Sequence, residues 1–149
     1  MRVVVQRAGK SWVEVDGKVV GRINRGIVVF IGVGEEDDEK DCLYLADKIT
    51  GLRIFEDSKG KMNLSLGEVG GEILCISQFT LYGDCRKGLR PSFIAAATPE
   101  KAARLYKKLC KLLETKGFMV ASGIFQAKMR VNVHNEGPVT ILLDSRKQF

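Results

Sequence analysis

The sequence is short of the side chains that perform most metal and nucleophile chemistry. It has one histidine, His134, and four cysteines, none of which forms a C-x-x-C pair. No carboxylate or thiol stands at metal-ligand spacing from His134 along the chain. We therefore expect no metal ion. A Cys–His or Ser–His catalyst would have to use His134, which we interpret as a partly exposed strand residue.

Long hydrophobic runs are absent as well. The longest nearly uninterrupted apolar stretch, Ile27 to Gly34, is far shorter than the roughly 20 residues of a membrane-spanning helix. The first residues lack the apolar core of a secretion signal. No repeat, linker or low-complexity segment divides the chain. These absences predict a single domain over residues 1–149, cytoplasmic, with no membrane contact and no cofactor.

The sequence does have an ample core and an excess of positive charge. Hydrophobic residues make up 45% of the chain, and Lys and Arg number 24 against 18 Asp and Glu. The acidic run at 35–41 leaves the rest of the chain more basic still. This balance is typical of a protein with a polyanionic partner, although solubility alone also explains it. The basic loop 83–92 and the lysine side of the helix after it either follow phosphates or face solvent.

Apolar periodicity predicts an α+β fold. Strands are expected at 3–5, 12–15, 19–20, 27–33, 53–55, 72–81, 129–133 and 139–143. Asp16-Gly17 is typical of a type I′ hairpin turn. One helix begins after Asp37 or Asp38, and a second begins at Thr98-Pro99 and ends near Lys116. We expect two main helices against an antiparallel-rich, strongly bent sheet with a β-barrel-like core.

Two segments depart from simple packing patterns. In the first, Ser77 to Tyr82, hydroxyls and an amide end an apolar strand, where side-chain oxygens and backbone N–H groups can form an oxyanion hole. A half-buried strand with alternating sides also explains this pattern. The second segment is the turn Asn135 to Pro138. A trans bond is the simpler expectation because only about 5–6% of X-Pro bonds are cis. A cis bond would instead present backbone carbonyls that suit an ammonium group.

These segments carry a resemblance to a known family. The matching stretches are Val5-Gln6-Arg7, Leu52-Arg53-Ile54-Phe55, Gly60-Lys61-Met62-Asn63, Ser77-Gln78-Phe79-Thr80-Leu81, Arg90-Pro91-Ser92-Phe93 and Asn135-Glu136-Gly137-Pro138-Val139-Thr140. Over nearly its whole length the chain resembles the D-aminoacyl-tRNA deacylases, also called D-tyrosyl-tRNA deacylases. The two longest motifs, in this order and at this separation, are highly specific.

The resemblance implies a homodimer with a barrel-like β fold and an active site at the subunit interface. It implies hydrolysis of the ester that joins a D-amino acid, or glycine, to the terminal adenosine of tRNA. In the family the Gly-Pro bond is cis. Carried over here, Gly137 and Pro138 would reach into the partner's pocket and accept hydrogen bonds from the substrate's amino group. An L side chain would then collide with rigid backbone, whereas a hydrogen or a D substituent points away.

The same resemblance gives roles to residues along the strand end. Ser77, Gln78, Phe79 and Thr80 would line the ester, with Thr80 as the catalytic hydroxyl and nearby backbone N–H groups on the oxyanion. Thr80 has no base beside it in the sequence, however, and an activated nucleophile needs such a partner. An aminoacyl ester is labile, so positioning, oxyanion stabilisation and the 2′-hydroxyl of the tRNA can suffice. We hypothesise attack by water without an acyl-enzyme.

Three further positions follow from the resemblance. Phe125 and Met129 match positions near the adenosine and the pocket wall, and Arg7 matches one that braces the Gly-Pro segment. The chain departs from the family pattern at Glu136, where Asp is common, and at Gln126, where a small residue is usual. Two other classes of function stay open on the residues alone. One is a nucleic-acid-binding module without catalysis, and the other is a hydrolase of small esters.

Overall fold

The computed structural model describes residues 1–149 as ten strands, two α-helices and one 3-10 helix. The helices are α1 (Glu39–Gly51) and α2 (Pro99–Thr115), and the 3-10 helix is Phe79–Tyr82. The strands are β1 (Arg2–Ala8), β2 (Ser11–Val15), β3 (Lys18–Ile23), β4 (Gly26–Gly32), β5 (Phe55–Glu56), β6 (Met62–Leu64), β7 (Glu72–Ser77), β8 (Val120–Ser122), β9 (Met129–Asn132) and β10 (Asn135–Asp144).

The strands form three open sheets. The largest has the order β10-β1-β4-β7-β8, a second has the order β3-β2-β9, and β5 pairs with β6. The pairs β4–β7 and β7–β8 are parallel, and the others are antiparallel. The predicted α+β class with two main helices is confirmed. The parallel pairs were not predicted. They form because α1 and α2 each lie between two strands of one sheet, as a parallel crossover requires.

The large sheet is covered on both faces. Its core with the two helices contains alternate residues of β4, Ile27, Val29 and Ile31. On the opposite face Val28 packs with Leu74 and other residues against the small sheet. The prediction that residues 27–33 are buried on both faces is therefore confirmed for most of β4.

Local signals of the sequence were reliable where neighbouring residues alone decide the conformation. Asp16 and Gly17 have φ of 50° and 76°, as a type I′ turn requires. Asp38, not Asp37, caps α1 and forms a reciprocal pair of hydrogen bonds with Asp41. Helix α2 ends one residue before Lys116.

The lysine side of α2 is mostly occupied by contacts within the protein. Arg104 and Lys108 lie 3.5 and 3.1 Å from Glu39 of α1, and Lys111 lies 3.0 Å from Glu114. The ammonium group of Lys101 donates to the carbonyl of Glu35. This side of the helix therefore joins α2 to its surroundings and leaves few cations free for phosphates.

The prediction of one strand over residues 72–81 is wrong beyond Ser77. The chain leaves the sheet there and forms the 3-10 helix. Two glycines of the neighbouring strand end make room for it. A Cβ on Gly32 would lie 3.0 Å from the carbonyl oxygen of Gln78, and one on Gly34 would lie 2.7 Å from the Tyr82 hydroxyl. The 3-10 helix can therefore lie where it does because Gly32 and Gly34 have no side chains.

Two other boundaries also differ from expectation. Asn135 to Pro138 is not a separate turn but the first part of β10, which pairs with β1 around an irregularity between Gln6 and Ala8. The amide of Asn135 donates to the carbonyl of Val139 at 2.9 Å and so holds this segment. Strand β8 was not predicted, because three residues carry too little periodicity.

A buried carboxylate ties the 3-10 helix to the chain ends. Asp37 accepts hydrogen bonds from the backbone N–H of Gly34 at 2.6 Å and from the Tyr82 hydroxyl at 3.1 Å. Its carboxylate lies 2.8 Å from the amino group of Met1 and 3.3 Å from Arg146. Burial raises the pKa of Tyr82 well above its usual range, so the phenol stays a neutral donor to Asp37.

No helix of the structure combines the length and the apolar character that a membrane span requires.

We expect Asp37→Asn to lower the free energy of unfolding by about 3–5 kcal/mol, because it leaves the buried amino group of Met1 without its nearest counter-charge. The matched control is Asp47→Asn. Asp47 is 71% exposed and pairs with Lys116 at the surface, so its loss should cost less than about 1 kcal/mol. Urea denaturation at pH 7 measures both. Equal losses in the two variants would contradict this account of Asp37.

Candidate active site

A cleft of about 540 Å³ lies at the carboxyl ends of the parallel strands β4 and β7. Helix α2 lies on one side of it and strand β9 on the other. Eleven of its fifteen lining residues are hydrophobic, and the polar exceptions include Ser77, Gln78 and Gln126. An apolar cleft with a few polar groups is the usual form of a binding site for a small organic group.

Five of the residues expected at the site line this cleft from three separate parts of the chain. They are Ser77, Gln78, Phe79, Phe125 and Met129. Ser77 ends β7, Phe79 begins the 3-10 helix, and Met129 begins β9. Phe79 is 57% exposed, and its ring packs edge-on against that of Phe93, which directly follows the basic loop, with 5.0 Å between ring centroids.

Thr80 lies beside the cleft lining, on the exposed side of the 3-10 helix. Its hydroxyl accepts a hydrogen bond from the Gln78 amide. The first hydrogen bond of this helix runs from the Leu81 N–H to the Gln78 carbonyl, so the N–H groups of Phe79 and Thr80 have no acceptor within the helix. These two donors are therefore available to a ligand oxygen at the end of β7.

Gly137 and Pro138 lie outside the cleft of their own chain. Their peptide bond is cis, as the resemblance implied, and both residues are exposed. In the strand register, this part of β10 lies opposite Arg7 of β1. Arg7 pairs with Ile27 of β4, and Ile27 pairs with Ile73 of β7. Ser77 lies three strand spacings across the sheet and four residues along β7 from this path. The distance between Ser77 and the Gly-Pro segment is therefore about 20 Å.

Arg7 holds the Gly-Pro segment from below. Its guanidinium donates to the carbonyl of Glu136 at 3.1 Å and to that of Ile54 at 2.8 Å, and it lies 3.6 Å from the carboxylate of Glu56. The residue is only 8% exposed. Arg7 therefore braces the segment, while Gly137 and Pro138 themselves are exposed.

His134 takes no part in this cleft. Its ring packs edge-on against Trp12 with 5.8 Å between ring centroids, and its backbone N–H donates to the Ser11 hydroxyl. No group of three His, Cys, Asp or Glu side chains lies close enough together to hold a metal ion. Ser77, Gln78 and Gln126 supply hydroxyl and carboxamide groups to the cleft lining.

The wall contributed by α2 was missed from the sequence. Pro99, Ala102 and Tyr106 line the cleft, and Tyr106 also belongs to the core beneath it. Tyr106 donates to the Cys75 carbonyl at 2.9 Å. Burial raises the pKa of Tyr106 above its usual range, so it is a fixed neutral donor.

Cations without an acidic partner stand near the cleft. Lys128 lies between the lining residues Ala127 and Met129, and Lys87 and Arg90 are exposed on the basic loop that precedes Phe93. Arg86 in that loop is already paired with Asp84 at 2.7 Å. The surroundings of the cleft therefore favour an anionic ligand.

Fold and cleft together define a small α+β domain that presents backbone donors and hydroxyls in an apolar cleft. This arrangement suits a carbonyl compound with an anionic extension. Residues 4–144 match the family model of D-Tyr-tRNA(Tyr) deacylase. The chain belongs to this family, as its motifs predicted.

Individual relatives agree with the family match. The D-aminoacyl-tRNA deacylases of Thermotoga petrophila and Fervidobacterium nodosum are each 58% identical to this chain over 149 residues, which cover both chains completely. A solved structure described as the c-Myc DNA unwinding element binding protein is 39% identical. It superposes with a TM-score of 0.91 over 97% of this chain and 98% of that one.

Arg7→Lys should lower the free energy of unfolding by about 1–3 kcal/mol, because one ammonium group cannot reach both carbonyls and leaves a buried acceptor unpaired. Arg53→Lys is the control. Arg53 also bonds a carbonyl, that of Asn63, but at an exposed site, so we expect a change below about 0.5 kcal/mol. Urea denaturation compares the two. A loss at Arg7 no larger than that at Arg53 would refute its bracing role.

Proposed function

We propose that this protein hydrolyses the ester between a D-amino acid, or glycine, and the terminal adenosine of tRNA. The observation that carries the proposal is the convergence of Ser77, Gln78, Phe79, Phe125 and Met129 on one apolar cleft. The first three belong to the family motif Ser77-Gln78-Phe79-Thr80-Leu81. Membership of the deacylase family and the names of the close relatives support the same reaction.

The chemistry follows from the donors at the end of β7. The ester carbonyl would accept hydrogen bonds from the N–H groups of Phe79 and Thr80, and these donors stabilise the negative charge of the tetrahedral intermediate. No histidine or carboxylate lines the cleft to activate the Thr80 hydroxyl. Water therefore attacks the positioned ester directly, with the adjacent 2′-hydroxyl of the tRNA assisting. The products are the free amino acid and tRNA.

Chirality is read by a second copy of the chain. Gly137 and Pro138 of the partner enter the cleft, and their carbonyls accept hydrogen bonds from the substrate's ammonium group. With ammonium and ester both held, an L side chain meets backbone that cannot move aside, whereas a D side chain or a hydrogen has room. Discrimination therefore arises from exclusion, and glycine is hydrolysed as well.

The geometry of one protomer supports the homodimer. The Gly-Pro segment lies about 20 Å from Ser77 along and across the sheet, so the two cannot form one site in the same chain. The segment is exposed yet braced by Arg7. Strand β10 is also an edge strand and exposes Leu142 at 62%. An exposed edge with an apolar side chain is a natural surface for a second copy.

The substrate's polyanionic part explains the cations near the cleft. Lys87, Arg90 and Lys128 would meet phosphates close to the aminoacyl end, and the net charge of +6 draws the tRNA towards the protein. Because aminoacyl-tRNA is made and used in the cytoplasm, we place the protein there.

One alternative is a nucleic-acid-binding protein without hydrolysis. The similarity to a DNA unwinding element binding protein, together with the positive charge, favours it. Salt-dependent binding of tRNA or DNA with no release of amino acid from D-tyrosyl-tRNA would support this alternative. Hydrolysis of free D-amino acid esters at the same rate as D-tyrosyl-tRNA would instead indicate a hydrolase of small esters.

The wild type should hydrolyse D-tyrosyl-tRNA and glycyl-tRNA, and L-tyrosyl-tRNA at least on the order of a hundredfold more slowly. Release of labelled amino acid under single-turnover conditions measures all three rates. Equal rates on the D and L substrates would end the proposal.

Gly137→Ala should reduce hydrolysis of D-tyrosyl-tRNA by about tenfold or more. The new methyl group would lie 2.7 Å from the Arg7 guanidinium and 2.9 Å from Val139, at a φ of 121°. The segment must therefore shift. Gly70→Ala is the control, because Gly70 also has positive φ, at 61°, but nothing lies near its new methyl group. If both variants lose activity equally, the effect reflects backbone strain and not the position of the segment.

Thr80→Ala should retain activity within about tenfold of the wild type, because attack by water does not need the hydroxyl. Loss of an essential nucleophile would instead cost at least about a thousandfold. In the same assay, kcat/KM should fall further when the tRNA ends in 2′-deoxyadenosine and is aminoacylated on its 3′-hydroxyl. Detection of a covalent D-tyrosyl adduct on Thr80 by mass spectrometry would overturn the mechanism.

A further inference from the structure

Gln126 occupies a backbone position that disfavours it. The Ala127 N–H donates to the Ile124 carbonyl at 3.1 Å and closes a four-residue turn. Gln126 is the third residue of this turn and has a φ of 64°. A positive φ at the third position of a β-turn is the feature of a type II turn, which takes glycine there because it has no Cβ. A glutamine in this place needs another explanation.

The other residues with this conformation do not share its location. Besides the glycines, only Asp16 and Lys147 have positive φ, and Asp16 belongs to the hairpin turn between β2 and β3. Gln126 alone among the three lines the cleft. A disfavoured backbone conformation at a binding cleft is a reason to look for a function of the side chain.

The cleft offers this side chain a definite partner. Apart from the Tyr106 hydroxyl, which donates to the Cys75 carbonyl, its polar groups lie at two places. Ser77 and Gln78 stand at the end of β7, and Gln126 stands on the turn before β9. In the proposed function the first place holds the ester, so the turn faces the nucleoside. The ring of Phe125, beside Gln126, provides a surface on which a base can stack. A carboxamide carries a donor and an acceptor side by side, which is the pattern that pairs with N6 and N7 of adenine.

We propose that Gln126 is a specificity-determining residue that hydrogen-bonds the base of the terminal adenosine through its carboxamide. The inference rests on the proposed function only in placing an aminoacyl-adenosine in the cleft. It concerns binding, and binding can be measured without hydrolysis.

The experiment measures binding of a stable analogue in which D-tyrosine is joined to 3′-amino-3′-deoxyadenosine by an amide. A second analogue carries 7-deazaadenine, which lacks the N7 acceptor. Wild-type protein should bind the adenine analogue about tenfold more tightly than the deaza analogue. Gln126→Gly should bind both analogues with the affinity that the wild type has for the deaza analogue. Its melting temperature should equal or exceed that of the wild type, because glycine suits the turn.

Lys147→Gly is the matched control, since Lys147 has the same backbone conformation, with a φ of 55°, but does not line the cleft. This change should leave both affinities unchanged. Equal weakening of both analogues in Gln126→Gly would overturn the proposal, because the amide would then act on another part of the ligand. Unchanged binding in Gln126→Gly, or no preference of the wild type for adenine, would overturn it as well. Failure of the proposed function shows separately, as absence of hydrolysis of D-tyrosyl-tRNA by the wild type.

Discussion

The register of the large sheet is the constraint on which the proposed site depends. Ser77 and the Gly137-Pro138 segment belong to strands three places apart and to opposite ends of those strands. A twisted sheet of hydrogen-bonded strands cannot bring them together without breaking its core. In each protomer the cleft and the braced, exposed Gly-Pro segment therefore lie about 20 Å apart. In the proposed homodimer, the Gly-Pro segment of one copy completes the cleft of the other.

Buried polar contacts make both parts of the proposed site rigid, the 3-10 helix at the cleft and the Gly-Pro segment. Asp37 holds the 3-10 helix through Tyr82, and Arg7 holds the Gly-Pro segment through two carbonyls. Exclusion of an L side chain requires that neither side yields, because a flexible wall would give way at little cost in energy. Gly32 and Gly34 also contribute to this rigidity, since they let the 3-10 helix pack closely on the end of β4.

Features that depend on neighbouring residues in the chain were predictable from the sequence. The turn at Asp16-Gly17 and the two buried faces of β4 are examples. The end of β7 was not, because the chain turns at Ser77 over glycines of another strand. The α2 wall of the cleft was not either, since an apolar helix face looks the same whether it meets a core or a cavity. Motifs identified Ser77 to Thr80 and Gly137-Pro138, but only the fold shows that they lie apart.

Mixed assemblies test the central claim most directly. One chain carries Ala127→Trp, which fills the cleft, and the other carries Gly137→Ala, with different tags so that assemblies containing both can be purified. If the partner donates the Gly-Pro segment, one of the two sites is intact, and the mixed dimer should hydrolyse D-tyrosyl-tRNA at roughly half the wild-type rate. If each chain completes its own site, every site carries a defect. Purified mixed dimers as inactive as their parents would contradict the account.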